Sequence, residues 1–228
     1  MDEKEPPSAA HESVVVAKRW LSNRVFELAL VKPAGFDFLP GQKVKVYIAG
    51  MAREYTIVSG PGEEYLALCI RHLAEGKVSS RLAALQLGDI VAFSAAYGFF
   101  LHRPGRSVFV ATGTGVAPYV AFARAGIRDF TLLHGVAAVS ELYYRHLFLT
   151  TAGVYIGCLA PVDEAASVEG DIFAGRVTDY LRQELVPGQY TFYLCGNGEM
   201  VGDAMKIIDN RFDGSRVFTE SFFDNDDR

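Results

Sequence analysis

The sequence predicts two folding units in series, a small antiparallel β-barrel followed by an α/β unit built on an open parallel sheet. Three observations carry that expectation. Short strand-like runs separated by turn residues dominate roughly the first hundred residues. The pattern changes at residues 101–107, LHRPGRS, and beyond them apolar runs alternate with helical stretches. With 228 residues, half of them hydrophobic, the chain can bury two modest cores.

Taken in order, residues 1–11 are polar and contain two prolines, which predicts a frayed tail without a secretory signal pattern. The first unit is expected over residues 12–103. Residues 43–48, KVKVYI, alternate polar and apolar side chains, as a strand with one buried face does. Further strands are expected at 13–17, 25–31, 54–58, 65–71 and 90–94, punctuated by Pro40-Gly41, Gly60-Pro61-Gly62 and Gly88-Asp89. Such a run of short strands predicts a barrel. One helix, at 79–85, opens with two serines able to cap it. The second unit is expected over residues 104–228. Strand 107–111 leads into a helix at 118–124, 130–133 into 139–147, 153–157 into 177–185, and 190–194 into 199–210, with a last strand at 216–219. Alternation of this kind builds a parallel sheet with helices on both faces.

Composition narrows the function. A net charge of −5 without a basic cluster argues against nucleic acid as a partner. No apolar stretch approaches the ~20 residues of a membrane span, so no membrane insertion is expected. The three cysteines, Cys69, Cys158 and Cys195, form neither a C-x-x-C pair nor a zinc or iron–sulfur pattern. No metal site is expected, any metal cluster belongs to a partner, and a reducing cytoplasm fits best.

Several clusters carry candidate chemistry. In VATGTGVAPYV, residues 110–120, Gly113-Thr114-Gly115 turns the chain from strand to helix, and Pro118 falls in the first helical turn, where its missing N–H is harmless. Such a helix start offers unpaired amides to a phosphate, although a plain structural turn reads the same way. The last long strand closes on Cys195-Gly196-Asn197-Gly198-Glu199-Met200, at the carboxyl edge where open parallel sheets bind ligands. A buried strand-end cysteine is the alternative reading. In the first unit, Arg53-Glu54-Tyr55-Thr56 sets a cation, an aromatic ring and a hydroxyl along one strand, and Gly76-Lys77-Val78-Ser79-Ser80 is a further anion site at a helix start. Anion sites in both halves suit two nucleotides.

With these motifs in order, together with Pro40-Gly41-Gln42 and Gly175-Arg176-Val177-Thr178, the sequence resembles the ferredoxin–NADP reductase family of flavoproteins from about residue 12 to residue 223. The resemblance implies an FAD-binding antiparallel β-barrel (FMN in some members) followed by a Rossmann-like parallel-sheet domain that binds NAD(P). It implies that Arg53 pairs with the flavin pyrophosphate, with Glu54 in the same cofactor-binding stretch. Tyr55 would pack on the isoalloxazine ring, and Thr56, where the family more often has Ser, would hydrogen-bond near flavin N5. Cys69, Ile70 and Arg71 would line the FAD, and Lys77, Val78, Ser79 and Ser80 would hold its phosphates. Gly113, Thr114, Gly115 and Pro118 would cradle the nicotinamide nucleotide with Gly196 and Met200, and Cys195 would stand beside its reactive ring. Glu220 would lie near the nicotinamide, and Phe222 or Phe223 against the flavin face, a packed domain edge being the alternative for these aromatics. Thr56, Cys195 and Glu220 form the expected catalytic neighbourhood.

Choice of nucleotide follows from charge. The 2′-phosphate of NADP needs a cation, Arg above all. By resemblance, members that use NADP often carry Arg directly after His-Gly-Val and again at the end of the third strand of the sheet. This chain has Ala137 and Gly157-Cys158-Leu159-Ala160 there. Ser140 and Arg145 remain for a phosphate and Glu141 for the ribose of NAD, so NADH is favoured slightly over NADPH. The expected activity is hydride transfer between NAD(P)H and FAD, with single electrons passed to or from a small carrier such as ferredoxin or flavodoxin. An electron-transfer subunit of a larger redox complex and a non-catalytic nucleotide-binding module are the alternatives.

Overall fold

The structure, a computed structural model, describes residues 11–160 and 171–222. The expected tail, His11 apart, and Phe223 lie outside the described residues. Two units divide the chain, one ending at Leu101 and the other beginning at His102.

The first unit contains β1 (His11–Trp20), β2 (Val25–Val31), β3 (Lys43–Ile48), β4 (Met51–Thr56), β5 (Tyr65–Arg71) and β6 (Ile90–Phe93), with one helix, α1 (Ser79–Ala84). The strands pair antiparallel in the order β4-β3-β6-β1-β2-β5. A bridge between Ile57 and Leu68, just past β4, brings the two end strands together and makes the sheet a barrel. Alternation decides what fills it: Leu28 and Leu30, Val44 and Val46, and Leu66, Leu68 and Ile70 share one core. Lys18 reaches the C-terminal end of α1, where its ammonium donates to the carbonyls of Ala83 (2.5 Å) and Leu85 (2.6 Å). A cation there meets the negative end of the helix dipole.

Three local expectations change in this unit. The strand expected at 54–58 is β4, Met51–Thr56, which ends before Ile57. β1 runs past residue 17 to Trp20, with a bulge between Val15 and Ala17 that shifts its register. The serines do not cap α1, whose N-cap is Val78 without a side-chain bond. Instead Ser79 Oγ accepts the Leu73 amide (3.2 Å) and Ser80 Oγ donates to the Leu73 carbonyl (2.9 Å), so both hydroxyls close the preceding loop.

The second unit is a parallel sheet of β7 (Ser107–Thr112), β8 (Thr131–Val136), β9 (Val154–Leu159), β10 (Ile172–Ala174), β11 (Thr191–Asn197) and β12 (Arg216–Phe222). Its helices are α2 (Ala117–Arg124), α3 (Arg145–Thr151), α4 (Val177–Gln183) and α5 (Gly198–Arg211). The strand order is β10-β9-β8-β7-β11-β12. The chain therefore runs outward from β7 to β10 and returns to β11 on the other side of β7. The carboxyl ends of β7 and β11 flank the reversal, which is where open α/β sheets bind ligands.

The helix expected at 139–147 is broken. A 3-10 turn, Val139–Glu141, comes first, Tyr144 takes a left-handed conformation (φ 59°), and only then does α3 begin. The Glu141 carboxylate accepts the Ala137 amide (3.2 Å), a local bond that competes with a continuous helix. β10, only three residues long, shows no period in the sequence.

Candidate functional site

Register builds the site in the second unit. Ala111 of β7, Cys195 of β11 and Glu220 of β12 are direct neighbours across three adjacent strands, and His134 of β8 lies on the far side of Ala111. Residues abreast in a sheet share a face. Two positions earlier on the same strands, Phe109, Tyr193 and Phe218 form the preceding row, with ring centroids 5.3 Å (Phe109–Tyr193) and 5.2 Å (Tyr193–Phe218) apart. An aromatic floor thus precedes the row that carries the thiol and the carboxylate. Cys195 is fully buried, and one oxygen of the half-buried Glu220, Oε2, is shielded from solvent.

The glycine turn meets this row backbone to backbone. Gly113–Val116 form one 3-10 turn that runs directly into α2, with Pro118 buried in the helix start. Gly113 has φ 53°, and a Cβ on it would meet nothing within 4 Å. A Cβ on Gly115 would strike the Cys195 carbonyl and the Gly196 Cα. The first glycine therefore serves the turn and leaves open space, and the second lets the two strand ends touch. Thr112 Oγ1 accepts the Asn197 amide (3.0 Å), and Asn197 Oδ1 accepts the amides of Glu199 (2.9 Å) and Met200 (3.2 Å), capping α5. Thr114 is half-buried within the turn, and Met200 packs into the core with Leu194 and Val201.

Sequence reasoning missed His134, Thr112 and Tyr119 here, although His134-Gly135 at a strand end was a visible signal. His134 is neutral: burial pushes its pKa down to about 4, against a smaller upward pull from the Gly113 backbone. The positions from which a choice of nucleotide is expected follow β8 and β9 in the chain. Ala137 and Ser140 are exposed, while Arg145 is half-buried. Arg176 is exposed and follows Gly175, whose amide donates to the Leu159 carbonyl (2.9 Å) at the end of β9. Phe222 closes β12 opposite Asn197.

In the barrel, the β3–β4 register sets Arg53 opposite Val46 and Tyr55 opposite Val44, so these two share a face while Glu54 and Thr56 take the other. Tyr55 packs against the core, and Arg53 is exposed. The Glu54 carboxylate is held by Lys43 Nζ (2.7 Å) and the Tyr97 hydroxyl (2.6 Å). Burial raises its pKa, but the Lys43 and Tyr97 bonds outweigh that and hold it below the usual carboxyl value. Thr56 is buried, and its Oγ1 has no hydrogen-bond partner among the described residues. Buried hydroxyls are nearly always paired, and one left alone costs about 1–3 kcal/mol. A polar ring atom of a flavin would satisfy it, so the residues fit FAD. The Ile57–Leu68 bridge sets Thr56 and Cys69 on either side of the barrel seam, with Ile70 buried and Arg71 exposed farther along β5. Val78 is buried and Lys77 exposed at the start of α1.

Comparison with known proteins agrees with this division. Residues 14–102 match the oxidoreductase FAD-binding domain, and residues 109–206 match the oxidoreductase NAD-binding domain. The chain is 28% identical over 221 residues to the reductase component of propane 2-monooxygenase from Rhodococcus jostii, covering 86% of this chain but only 58% of that protein's length. It is 27% identical over 235 residues to ferredoxin–NADP reductase A of Sorangium cellulosum, covering 90% of this chain and 84% of that one. The fold is similar to a ferredoxin NADP+ reductase from Neisseria gonorrhoeae, solved with bound FAD and NADP, with a TM-score of 0.81 at 19% identity over 93% of this chain and 98% of that one. Barrel, sheet and matched models define an oxidoreductase FAD-binding domain followed by an oxidoreductase NAD-binding domain. The chain belongs to the ferredoxin–NADP reductase family. No described helix is long and apolar enough to cross a membrane, and no metal-ligating cluster is assembled among the described residues.

Proposed function

We propose that the chain is an FAD-dependent reductase that moves hydride between NAD(P)H and FAD, and single electrons to or from a small carrier such as ferredoxin or flavodoxin. The observation that carries this reading is the contact of the 113–116 turn with the strand end bearing Cys195, with Glu220 abreast of it, at the switch point of the sheet. Bound flavin supplies what side chains cannot, the acceptance of two electrons as hydride and their return one at a time.

The protein's part is position and polarity. Amides of the 113–116 turn receive the nucleotide pyrophosphate, and Cys195 and Glu220 line the place of its reactive ring. Arg53 pairs with the FAD pyrophosphate, Tyr55 packs on the flavin ring, and Thr56 Oγ1 bonds near N5. Cys69, Ile70 and Arg71 line the remainder. At residues 77–80, Lys77 holds phosphate, since the serine hydroxyls close their own loop and the Ser80 amide donates to the Gly76 carbonyl (3.1 Å).

Ala137 and the stretch Gly157-Cys158-Leu159-Ala160 stand where phosphate-binding cations are usual, which favours NADH slightly. Arg176, exposed beside the end of β9, supports the NADPH reading. A second reading of the partner makes the chain an electron-transfer subunit for a separate oxygenase. The propane 2-monooxygenase reductase and a 2-halobenzoate 1,2-dioxygenase electron transfer component of Burkholderia cepacia, both among its relatives, support it.

Anaerobic mixing of FAD-loaded protein with NADH or NADPH tests the activity, and rapid bleaching of the flavin is expected. A protein that retains no FAD on reconstitution overturns it. Reduction by NADPH with NADH inert, lost in Arg176→Ala, would overturn the NADH preference.

A further inference from the structure

Tyr119 is fully buried in the first turns of α2. Its ring stacks on Phe109 of β7, with centroids 4.6 Å apart and planes 5° from parallel. Its hydroxyl lies 2.7 Å from the Tyr193 carbonyl oxygen on β11 and 3.1 Å from the Val110 carbonyl oxygen on β7. A single hydrogen, directed chiefly at Tyr193, is thus shared between two adjacent strands. Each carbonyl stands two residues before a part of the site: Val110 before Thr112 and the glycine turn, Tyr193 before Cys195. Phenylalanine would stack on Phe109 equally well, so the stacking does not require the hydroxyl.

We infer that Tyr119 is a positioning residue for hydride transfer: its hydroxyl ties β7 to β11 and so sets the distance between the nucleotide turn and Cys195. The inference rests on the reading of Cys195 as the neighbour of the nicotinamide ring. The tie does not titrate under working conditions, because burial, and then the nearby Cys195 and Glu220, push the Tyr119 pKa well above that of ordinary tyrosine. A second tie joins the same strands at their ends, the Thr112–Asn197 bond. Losing the Tyr119 hydroxyl therefore leaves the strands paired and lets the Cys195 end loosen.

Two measurements on FAD-loaded Tyr119→Phe test this. Alkylation of the Cys195 thiol by a small reagent, read by mass spectrometry of its peptide, is expected to run about tenfold faster than in wild type. Single-turnover flavin reduction at saturating nucleotide is expected to slow roughly tenfold, with nucleotide affinity within about twofold. Tyr190→Phe is the control, since it removes another tyrosine-to-carbonyl bond, to Val186 (2.8 Å), at the opposite end of β11. It should change neither rate. In a Cys195→Ala background, Tyr119→Phe should add no further slowing.

Wild-type rates of alkylation and reduction in Tyr119→Phe would overturn the inference, as would equal slowing with and without Cys195. If Cys195→Ala alone reduces flavin at the wild-type rate, the catalytic reading of Cys195 falls, and alkylation by itself decides whether Tyr119 positions that strand end. Should Tyr119→Phe not fold, Tyr119→Met, which also lacks the hydroxyl, carries the same measurements.

Discussion

The Thr56 hydroxyl, buried at the end of β4 without a partner among the described residues, sets up a test of opposite signs. Thr56→Val removes that polar atom with little change of shape. Protein free of FAD should gain about 1 kcal/mol, and FAD-loaded protein should lose a similar amount. Thermal melts with and without FAD check both, and a shift of one sign in both states would remove Thr56 from the flavin site. Glu54 makes the contrast, because its carboxylate is already held by Lys43 and Tyr97. Glu54→Gln should leave FAD affinity within about twofold, since Lys43 and Tyr97, not the cofactor, satisfy this side chain. A tenfold loss of FAD on titration would return Glu54 to the cofactor's contacts.

At the scale of an element, the turn into α2 separates two glycines that the sequence presents as equals. Gly113 sits at φ 53° in open space, so Gly113→Asn, which tolerates the left-handed region, should cost under about 1 kcal/mol. Gly115→Ala drives a methyl group into the backbone of Cys195 and Gly196, and overpacking against backbone should cost about 2 kcal/mol or more. Urea unfolding of the two variants checks the ranking, and equal midpoints would contradict it. The broken helix before α3 shows the limit of pattern reading. Its register depends on a side-chain bond from Glu141 and a left-handed Tyr144, and neither leaves a hydrophobic period.

For the molecule as a whole, the buried His134 ties stability to pH. Its pKa is about 4 when folded against an ordinary 6.5, so the unfolded chain takes up the proton first as pH falls. The contribution is therefore absent above about pH 7 and grows from pH 6.5 down to pH 4, where it removes roughly 3 kcal/mol. His102, lowered by burial, acts in the same direction. Urea midpoints measured from about pH 8 to pH 4 should fall over that window, less steeply in His134→Gln. A flat profile would show that the imidazole titrates in the fold as it does in the unfolded chain.

What the sequence determined by itself was the order of the two units and most of their strands, because a period of two and the alternation of strand with helix are local properties. The motifs around Arg53, Gly113 and Cys195 were legible for the same reason. Only the tertiary structure decided that Cys195 and Glu220, 25 positions apart in the chain, stand abreast across β11 and β12, or that His134 joins their row. It also decided that Ser79 and Ser80 close a loop, that Glu54 is held by Lys43, and that the Tyr119 hydroxyl spans two strands. These facts depend on strand register and on which polar atoms burial leaves to be satisfied. Both are fixed by contacts between distant parts of the chain, which carry no local signature.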